Sequence, residues 1–307
     1  MQTTIANPLL AFVDGSRRSA LVPSAAGYRG IDAVGADVRA PLTFIVPTET
    51  KPRFYSSAWT GGAPQMLFDS ERHVVPVHDM RPLEGALSLD REGFELLRHR
   101  SAVADLYDDE AIESRYKPEI EDLLKGATGA DRVVVFDVTR RSDDGTGARN
   151  RDGLRGPASR VHVDYTEASG PQRVRDILGE AEAARLAESG ARIVQVNVWR
   201  PIRGPVERSP LALADAGTVR PRELVATDQI FPDRVGEIYH LSYAPTQRWY
   251  FAPRMTPDEV LLIKGWDSLD DGRARFTPHS AVELPDTPAA AAPRESIEVR
   301  TLMIFEA

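Results

Sequence analysis

The chain has 307 residues, 42% of them apolar and 27% charged, which allows a sizeable buried core and excludes fibrous and disordered classes. Its net charge of −8, with basic and acidic residues intermixed, argues against a nucleic-acid partner, and no apolar run approaches the roughly 20 residues of a membrane span. Because Cys is absent, disulfides, thiolate nucleophiles and iron–sulfur ligation are excluded, and a metal would have to be held by His, Asp and Glu.

The first 130 residues are predicted to mix one strand with two helices. Pro41 to Val46 has an extended pattern, Asp108 or Asp109 is suited to cap a first helix, and Pro118 is suited to open a second that Gly126 stops. The N-terminal MQTTIANPLLAFVDGS lacks the charged-then-apolar order of a secretion signal, so we expect a cytoplasmic protein.

Beyond residue 130 the pattern changes to strands separated by turns. One helix is predicted over Val174 to Ser189, with Gly190 as its stop. Strands are predicted at Arg132–Val138, Val161–Tyr165, Ala191–Trp199, Gly236–Tyr243, Arg248–Phe251, Val260–Lys264 and Ser296–Phe305. These elements favour an α+β fold that is mainly β, built as a double-sheet jelly roll or barrel with flanking helices.

The strand from Ala191 to Trp199 alternates cleanly between two kinds of side chain. Its valines share one face, and Gln195, Asn197 and Trp199 share the other. A strand with one apolar face and one face of amide and indole groups suits the wall of a polar cavity.

His162-Val163-Asp164 places two metal-ligating side chains on one face of a predicted strand, so both can chelate one ion. His279, which follows a run of strands and precedes the last one, can complete the set. Two imidazoles and one carboxylate on one face of an octahedron leave positions for cosubstrate and oxygen, as in non-heme iron(II) oxygenases.

Arg294-Glu295-Ser296 lies fifteen residues beyond His279, at the head of the last strand. A guanidinium fork with a neighbouring hydroxyl is well shaped to receive a carboxylate end-on. An iron triad with one such anchor describes a site for a bidentate 2-oxo acid.

Several longer segments carry a resemblance to a known family. They are VPVHDMRPLEGALSLDREGFELL, YKPEIEDLLKGATGADRVVVFDVTRR, RVHVDYT, VNVWRPI, LIKGWDS and RFTPHSAVELPDTPAAAAPRESIEVRTLMIF, and they run from about residue 74 to the C-terminus. The chain resembles the family of fungal AsaB-type hydroxylase/desaturases, gibberellin desaturase and the oxygenase-like component of cephamycin 7α-methoxylation.

The resemblance implies a cupin-like double-stranded β-helix that uses Fe(II), 2-oxoglutarate and O2 to oxidise small natural-product or amino-acid-like substrates. It places the iron ligands on His162, Asp164 and His279. Hydroxylation, desaturation and cyclisation are all compatible with it, each with release of succinate and CO2.

Two arginines compete as anchor for the cosubstrate. Arg294 has the spacing and the following Ser296, whereas Arg300 opens the apolar run of RTLMIF. Because six residues of strand separate them by about 20 Å, both cannot contact the same carboxylate. We favour Arg294 and keep Arg300 as the alternative.

Further side chains are candidates for contacts in the site. Asn197 or Gln195 could bind the C1 carboxylate or the substrate, and the predicted pocket walls are Tyr165, Thr166, Trp199, Tyr239 and Tyr243. Against this, Tyr and Trp in strands more often pack in a core or at its rim. The Arg140-Arg141 pair is expected on the solvated surface.

We expect a single oxygenase domain over residues 1–307, with an N-terminal α/β extension (1–130) packed on a jelly-roll core (131–307). A small-molecule substrate is the expected partner, with a second copy of the chain or a biosynthetic enzyme left open. Two alternatives are an auxiliary, non-catalytic partner of a biosynthetic enzyme and an oxygen-independent cupin-like metalloenzyme.

Overall fold

The structure is a computed structural model that describes residues 37–61, 64–145, 147–150 and 153–307; the N-terminal segment in which a secretion signal was sought lies outside them. Its strands are β1 (Val38–Ile45), β2 (Arg53–Tyr55), β3 (Gln65–Met66), β4 (Ser70–Asp79), β5 (Phe94–Arg98), β6 (Arg132–Ser142), β7 (Ala148–Asn150), β8 (Gly153–Arg155), β9 (His162–Val163), β10 (Arg192–Pro201), β11 (Leu211–Ala214), β12 (Leu224–Ile230), β13 (Val235–Leu241), β14 (Trp249–Phe251), β15 (Glu259–Asp267), β16 (His279–Ala281) and β17 (Glu295–Phe305).

The helices are short and lie between the strands. They are α1 (Ser57–Thr60), α2 (Asp109–Ala111), α3 (Lys117–Thr128), α4 (Ser169–Leu178) and α5 (Glu180–Ser189), with a π-helical turn at Ile112–Tyr116 and 3-10 turns at Arg81–Leu83, Ala216–Thr218 and Pro221–Glu223. No helix among the residues described is long and apolar enough to cross a membrane.

The two helices predicted before residue 130 are one continuous helical segment. Asp108 caps its start by accepting hydrogen bonds from the backbone N–H groups of Glu110 and Ala111. The π-helical turn carries the chain from α2 into α3, so Pro118 lies within the first turn of α3, where a missing N–H is tolerated. The predicted stop at Gly126 is wrong: α3 continues to Gly129, whose φ of 75° ends it.

The helix predicted over Val174–Ser189 is divided into α4 and α5. Gly179 separates them with φ 84° and ψ 154°, a conformation that no helix can contain and that glycine adopts readily. The predicted stop at Gly190 is confirmed, since this residue is left-handed with φ 78°.

Two sheets form the body of the jelly roll, as predicted. The larger has the strand order β1-β4-β14-β11-β16-β9-β13-β12-β2-β3, and the smaller has the order β5-β15-β10-β17-β6. Strands from both sides of residue 130 belong to each sheet, because β1 to β4 join the larger sheet and β5 is an edge of the smaller.

The outer face of the smaller sheet is covered by α3. Val194, Val196 and Val198 of β10 pack in one cluster with Ile120 and Leu124 of that helix. Because side chains alternate along a strand, the opposite face of β10, with its amides and indole, turns toward the larger sheet. The predicted polar wall is therefore the inner face of the smaller sheet.

The sequence pattern did not reveal β2 to β5, β7, β8, β11, β12 and β16. β11 and β16 are buried throughout and only three or four residues long, so they show no alternation. The strand predicted over Val161–Tyr165 is reduced to His162–Val163, and Asp164 occupies a bend directly after it.

Candidate metal centre between the two sheets

The two histidines of the predicted triad lie side by side in the larger sheet. β9 and β16 are antiparallel neighbours, and His162 is paired directly with His279. Their ring centroids are 4.5 Å apart. A pairing between residues more than a hundred positions apart in the chain thus brings both imidazoles to one point.

Backbone carbonyls fix the tautomer of both rings. Nδ1 of His162 lies 2.9 Å from the carbonyl oxygen of Arg160, and Nδ1 of His279 lies 3.0 Å from that of Thr277. A carbonyl can only accept, so each Nδ1 carries the proton and each Nε2 keeps a free lone pair. This is the usual orientation of metal-binding histidines.

Asp164 reaches the same point from the bend after β9, and the smaller sheet holds it there. Its Oδ2 accepts hydrogen bonds from Asn197 Nδ2 at 2.7 Å and from Arg300 Nε at 2.9 Å. Its Oδ1 lies 3.5 Å from His162 Nε2. The ligand atoms of Asp164, His162 and His279 all lie within 4.8 Å of one another, so the donor set fits one metal ion.

The electrostatics of the cluster favour the protonation states that a metal requires. Burial opposes ionisation of Asp164, but the adjacent Arg300 and the two imidazoles outweigh it and hold the pKa of this carboxyl well below its usual range. Burial, followed by the nearby His162, lowers the pKa of His279. Asp164 is therefore a carboxylate at neutral pH, and the neutral form of His279 is favoured, as metal binding requires.

Arg300 is surrounded by carboxylates. Besides Asp164 it contacts Asp137 through Nη1 and Glu298 through Nη2. Burial disfavours the charged form, yet these acids raise the pKa of Arg300 well above its usual value. The N–H groups of Arg300 are therefore already engaged by carboxylates of the protein itself.

Arg294 has a different environment. It is buried beside a small cavity whose polar lining is Arg141, His162, His279, Arg294 and Glu298, and whose apolar lining is Ala158, Trp199, Leu211 and Ala281. Its Nη1 donates to the carbonyl of Ser209 at 2.7 Å, and its Nε has no hydrogen-bond partner among the residues that the structure describes. Burial and the neighbouring Arg141 lower the pKa of Arg294 to about 10.

Side chains on the polar face of β10 either line the cavity or support a residue of the candidate metal centre. Trp199 lines the cavity and lies 5.8 Å from the guanidinium of Arg294. Gln195 donates to Asn197, which in turn holds Asp164. Ser296, predicted near the cosubstrate, is buried in β17 two residues after Arg294.

Tyr165 and Thr166 directly follow Asp164 and turn into neighbouring packing. Tyr165 belongs to a buried cluster with Trp266. Thr166 contacts Glu237 through its hydroxyl, which also accepts from the backbone N–H of Ser169. Both side chains anchor the chain between the metal centre and α4.

Tyr239 and Tyr243 contact other aromatic rings. Tyr239 packs edge-on against Phe276 at 5.1 Å, and Tyr243 stacks on His73 at 3.8 Å. Tyr243 thereby belongs to the packing around β1 and β4, and neither ring is part of the cavity lining described above.

Sequence reasoning missed three charged residues of the site, namely Asp137, Arg141 and Glu298. The signal for Glu298 was available, because it lies between Ser296 and Arg300 on the same face of an alternating strand. The expectation that Arg140 and Arg141 are solvated is wrong. Arg140 is 7% exposed and pairs with Asp109 on the outer side, whereas Arg141 lines the cavity.

A third histidine, beside the two in the cluster, should determine part of the response of the metal-free protein to acid. His240, paired with His162 across β9 and β13, is buried with its Nδ1 3.0 Å from Thr227 Oγ1. Burial, then the charges of His162 and Arg160, lower the pKa of His240 from 6.5 to about 3. Below pH 6.5 the unfolded chain therefore protonates His240, whereas the folded protein keeps it neutral.

Stability should accordingly fall as the pH is lowered from 6.5 toward 3, by up to about 1.4 kcal/mol per pH unit from this residue. We expect His240→Gln to remove on the order of 2 kcal/mol of the loss between pH 6.5 and 5. Urea unfolding with EDTA at the two pH values measures this. Equal acid sensitivity in the variant and the wild type would contradict it.

Comparison with known proteins identifies the family of the chain. A protein-family model described as "Oxidoreductase/YMDC permease-like domain" matches residues 42–304. The hydroxylase/desaturase efuI of Hormonema carpetanum is 34% identical over 271 residues, covering 80% of this chain and 88% of that protein. The Fe(II)/2-oxoglutarate-dependent dioxygenase nvfI of Aspergillus novofumigatus is 33% identical over 252 residues, covering 79% and 87% respectively.

A solved structure leads to the same class. The iron and alpha-ketoglutarate-dependent endoperoxidase NvfI superposes with a TM-score of 0.77 at 30% identity, over 88% of this chain and 99% of that one. The jelly roll and these relatives define an Fe(II)/2-oxoglutarate-dependent oxygenase that acts on a small molecule with Fe(II), 2-oxoglutarate and O2.

More narrowly, the chain belongs to the oxidoreductase family that includes the hydroxylase/desaturases efuI and asaB, and the predicted resemblance is confirmed. The asaB protein of Aspergillus flavus is 35% identical over 213 residues, covering 62% of this chain and 90% of that protein.

Proposed function

We propose that this oxygenase holds iron(II) with Nε2 of His162, Nε2 of His279 and Oδ1 of Asp164, and oxidises an unactivated C–H bond of a small natural-product or amino-acid-derived substrate. The observation that carries the proposal is the convergence of these three donors within 4.8 Å, each with a free lone pair. Two imidazoles and one carboxylate are the donor set of non-heme iron(II) oxygenases.

The remaining residues of the centre act as supports. The carbonyls of Arg160 and Thr277 orient the imidazoles, and Asn197 and Arg300 hold Oδ2 of Asp164 so that Oδ1 faces the metal position. When bound, iron(II) supplies the activation of O2 that couples conversion of 2-oxoglutarate to succinate and CO2 with substrate oxidation. The protein contributes position and exclusion of water.

Arg294 is the proposed anchor for the distal carboxylate of 2-oxoglutarate. It faces the cavity that His162 and His279 also line, and it forms no ion pair within the described part of the chain. Arg300 is unsuited to this role because three carboxylates already occupy it. Asn197 is assigned to Asp164, and Ser296 adjoins the anchor.

Trp199 is the predicted substrate-contacting residue that the cavity supports best, since its indole lies beside Arg294 and lines the cavity. Whether the product is hydroxylated, desaturated or cyclised depends on which substrate carbon lies beside the metal. Some relatives are named hydroxylase/desaturase and one is named an endoperoxidase, so this fold accommodates more than one outcome.

The proposed organisation is one oxygenase domain over residues 1–307. It is supported by strands from both sides of residue 130 that pair within the same sheets. Within residues 37–61 and 64–130, β1 to β5 then belong to the two sheets of the jelly roll itself. A second copy of the chain or a biosynthetic enzyme as partner, and a cytoplasmic location, stay predictions.

The experiment that tests the function measures succinate from the purified chain supplied with iron(II), 2-oxoglutarate, O2 and a library of small natural products and amino acids. We expect succinate formation that needs both iron and O2. In Arg294→Gln the KM for 2-oxoglutarate should rise about 10- to 150-fold, because one charge-assisted contact of roughly 1.5–3 kcal/mol is lost.

Arg39→Gln, an exposed arginine of β1, is the matched control and should behave as the wild type. A chain that forms no succinate with any candidate but binds a biosynthetic enzyme stably would favour the auxiliary alternative. Turnover without O2 would select the oxygen-independent one.

A further inference from the structure

Arg141 faces the interior between the two sheets. In the antiparallel pairing of β6 with β17, Arg141 lies opposite Ser296, Thr139 opposite Glu298, and Asp137 opposite Arg300. Alternation puts Arg141 on the face of β6 that carries Thr139 and Asp137, and these two contact Arg300 inside the jelly roll. Arg141 therefore points toward the metal centre and away from α3.

Arg141 and Arg294 are two cations on one small cavity, and Glu298, which also lines it, forms its ion pair with Arg300. Arg141 donates to the carbonyl of Gly156 at 3.0 Å and Arg294 to that of Ser209 at 2.7 Å. Among the described residues neither guanidinium forms an ion pair, in contrast to Arg300. Two neighbouring cations, Arg294 buried and Arg141 partly buried, repel each other, and an anion between them would offset that repulsion.

The register also fixes the end of the cavity at which Arg141 stands. Its partner Ser296 is four strand residues, roughly 13 Å, from Arg300, which holds the metal-ligating Asp164. It is only two residues from Arg294. Both free cations are thus at the end remote from Asp164, where the second carboxylate of a metal-chelating dicarboxylate would lie.

We propose that Arg141 shares the distal carboxylate of 2-oxoglutarate with Arg294 and makes the site selective for a 2-oxo dicarboxylate over a 2-oxo monocarboxylate. This rests on the proposed function, because it requires the 2-oxo acid to chelate the metal between His162 and His279. Arg141 is then a specificity-determining residue for the cosubstrate.

The test pairs a change in the protein with a change in the ligand. Calorimetry on the Ni(II)-loaded protein without O2 gives Kd for 2-oxoglutarate and for 2-oxopentanoate, which has a methyl group in place of the distal carboxylate. We expect Arg141→Gln to raise the Kd for 2-oxoglutarate about tenfold or more and to leave the Kd for 2-oxopentanoate within about twofold of the wild type. Arg141→Lys, which keeps the charge, should recover part of the loss.

The matched control is Arg149→Gln on the neighbouring β7, where the arginine is exposed and no effect is expected. An unchanged Kd for 2-oxoglutarate in Arg141→Gln, or an equal loss for both ligands, would overturn the assignment. If Arg294→Gln still raises the Kd for 2-oxoglutarate but not that for 2-oxopentanoate, the proposed function stands and only the role of Arg141 fails. If the wild type binds neither ligand, the proposed function itself fails, and the role of Arg141 with it.

Discussion

Replacing His279 with alanine is expected to lower succinate formation by at least about a thousandfold. Loss of an outer hydrogen-bond partner of a metal ligand typically costs about 10- to 100-fold, and loss of a ligand should cost more. His279 is one of only two imidazoles in the cluster, and its Nε2 is free for the metal because Nδ1 is held by Thr277. Steady-state succinate assays at saturating iron(II) and 2-oxoglutarate measure the effect.

The matched control is His78→Ala, which removes a half-buried histidine that contacts Asp37 outside the cluster. Its activity should stay within about twofold of the wild type, as is usual for a substitution remote from the site. A His279→Ala variant that keeps a tenth of the wild-type rate would contradict the assignment of this residue as a ligand.

Replacing Arg300 with leucine should destabilise the protein by about 3–5 kcal/mol, because a buried cation is removed from carboxylates that remain. Asp164, Asp137 and Glu298 would then repel one another with no opposing charge. The metal-free protein should show the loss in urea unfolding. Iron(II) affinity should also fall, by about 10- to 100-fold, because Asp164 loses one of its two orienting donors.

Arg300→Lys and Arg294→Gln separate this structural role from cosubstrate binding. Lysine keeps the charge but loses the planar fork, so the loss of stability should be smaller. Arg294→Gln should raise the KM for 2-oxoglutarate with little change in metal affinity, since Arg294 contacts none of the three proposed ligands. If Arg300→Lys raises that KM and Arg294→Gln does not, the anchor has been assigned to the wrong arginine.

Local alternation made part of the site predictable. The faces of β10 follow from a two-residue period, so the apolar valines and the polar face of Gln195, Asn197 and Trp199 could be assigned from sequence. The spacing of His162 and Asp164 likewise pointed to one ion. It did not indicate that Asp164 lies in a bend outside the strand.

The local sequence pattern could not predict which distant strands pair or in what register. The pairing of His162 with His279 depends on β16, a three-residue buried strand without alternation. The carboxylates around Arg300 come from β6, from the bend after β9 and from β17 itself, so the choice between Arg294 and Arg300 required the folded arrangement. Arg140 and Arg141 were misassigned because β6 extends to Ser142, beyond the predicted end at Val138, so that both lie within the strand and face opposite sides of it.

The most direct measurement is an anaerobic crystal structure of the protein with iron(II) and 2-oxoglutarate, with the metal located by anomalous scattering at the iron edge. We predict one iron per chain, bound by His162 Nε2, His279 Nε2 and a single oxygen of Asp164, with the 2-oxo acid chelated beside them and its distal carboxylate at Arg294. An iron bound elsewhere, or a cluster that stays metal-free at saturating iron(II), would contradict the account.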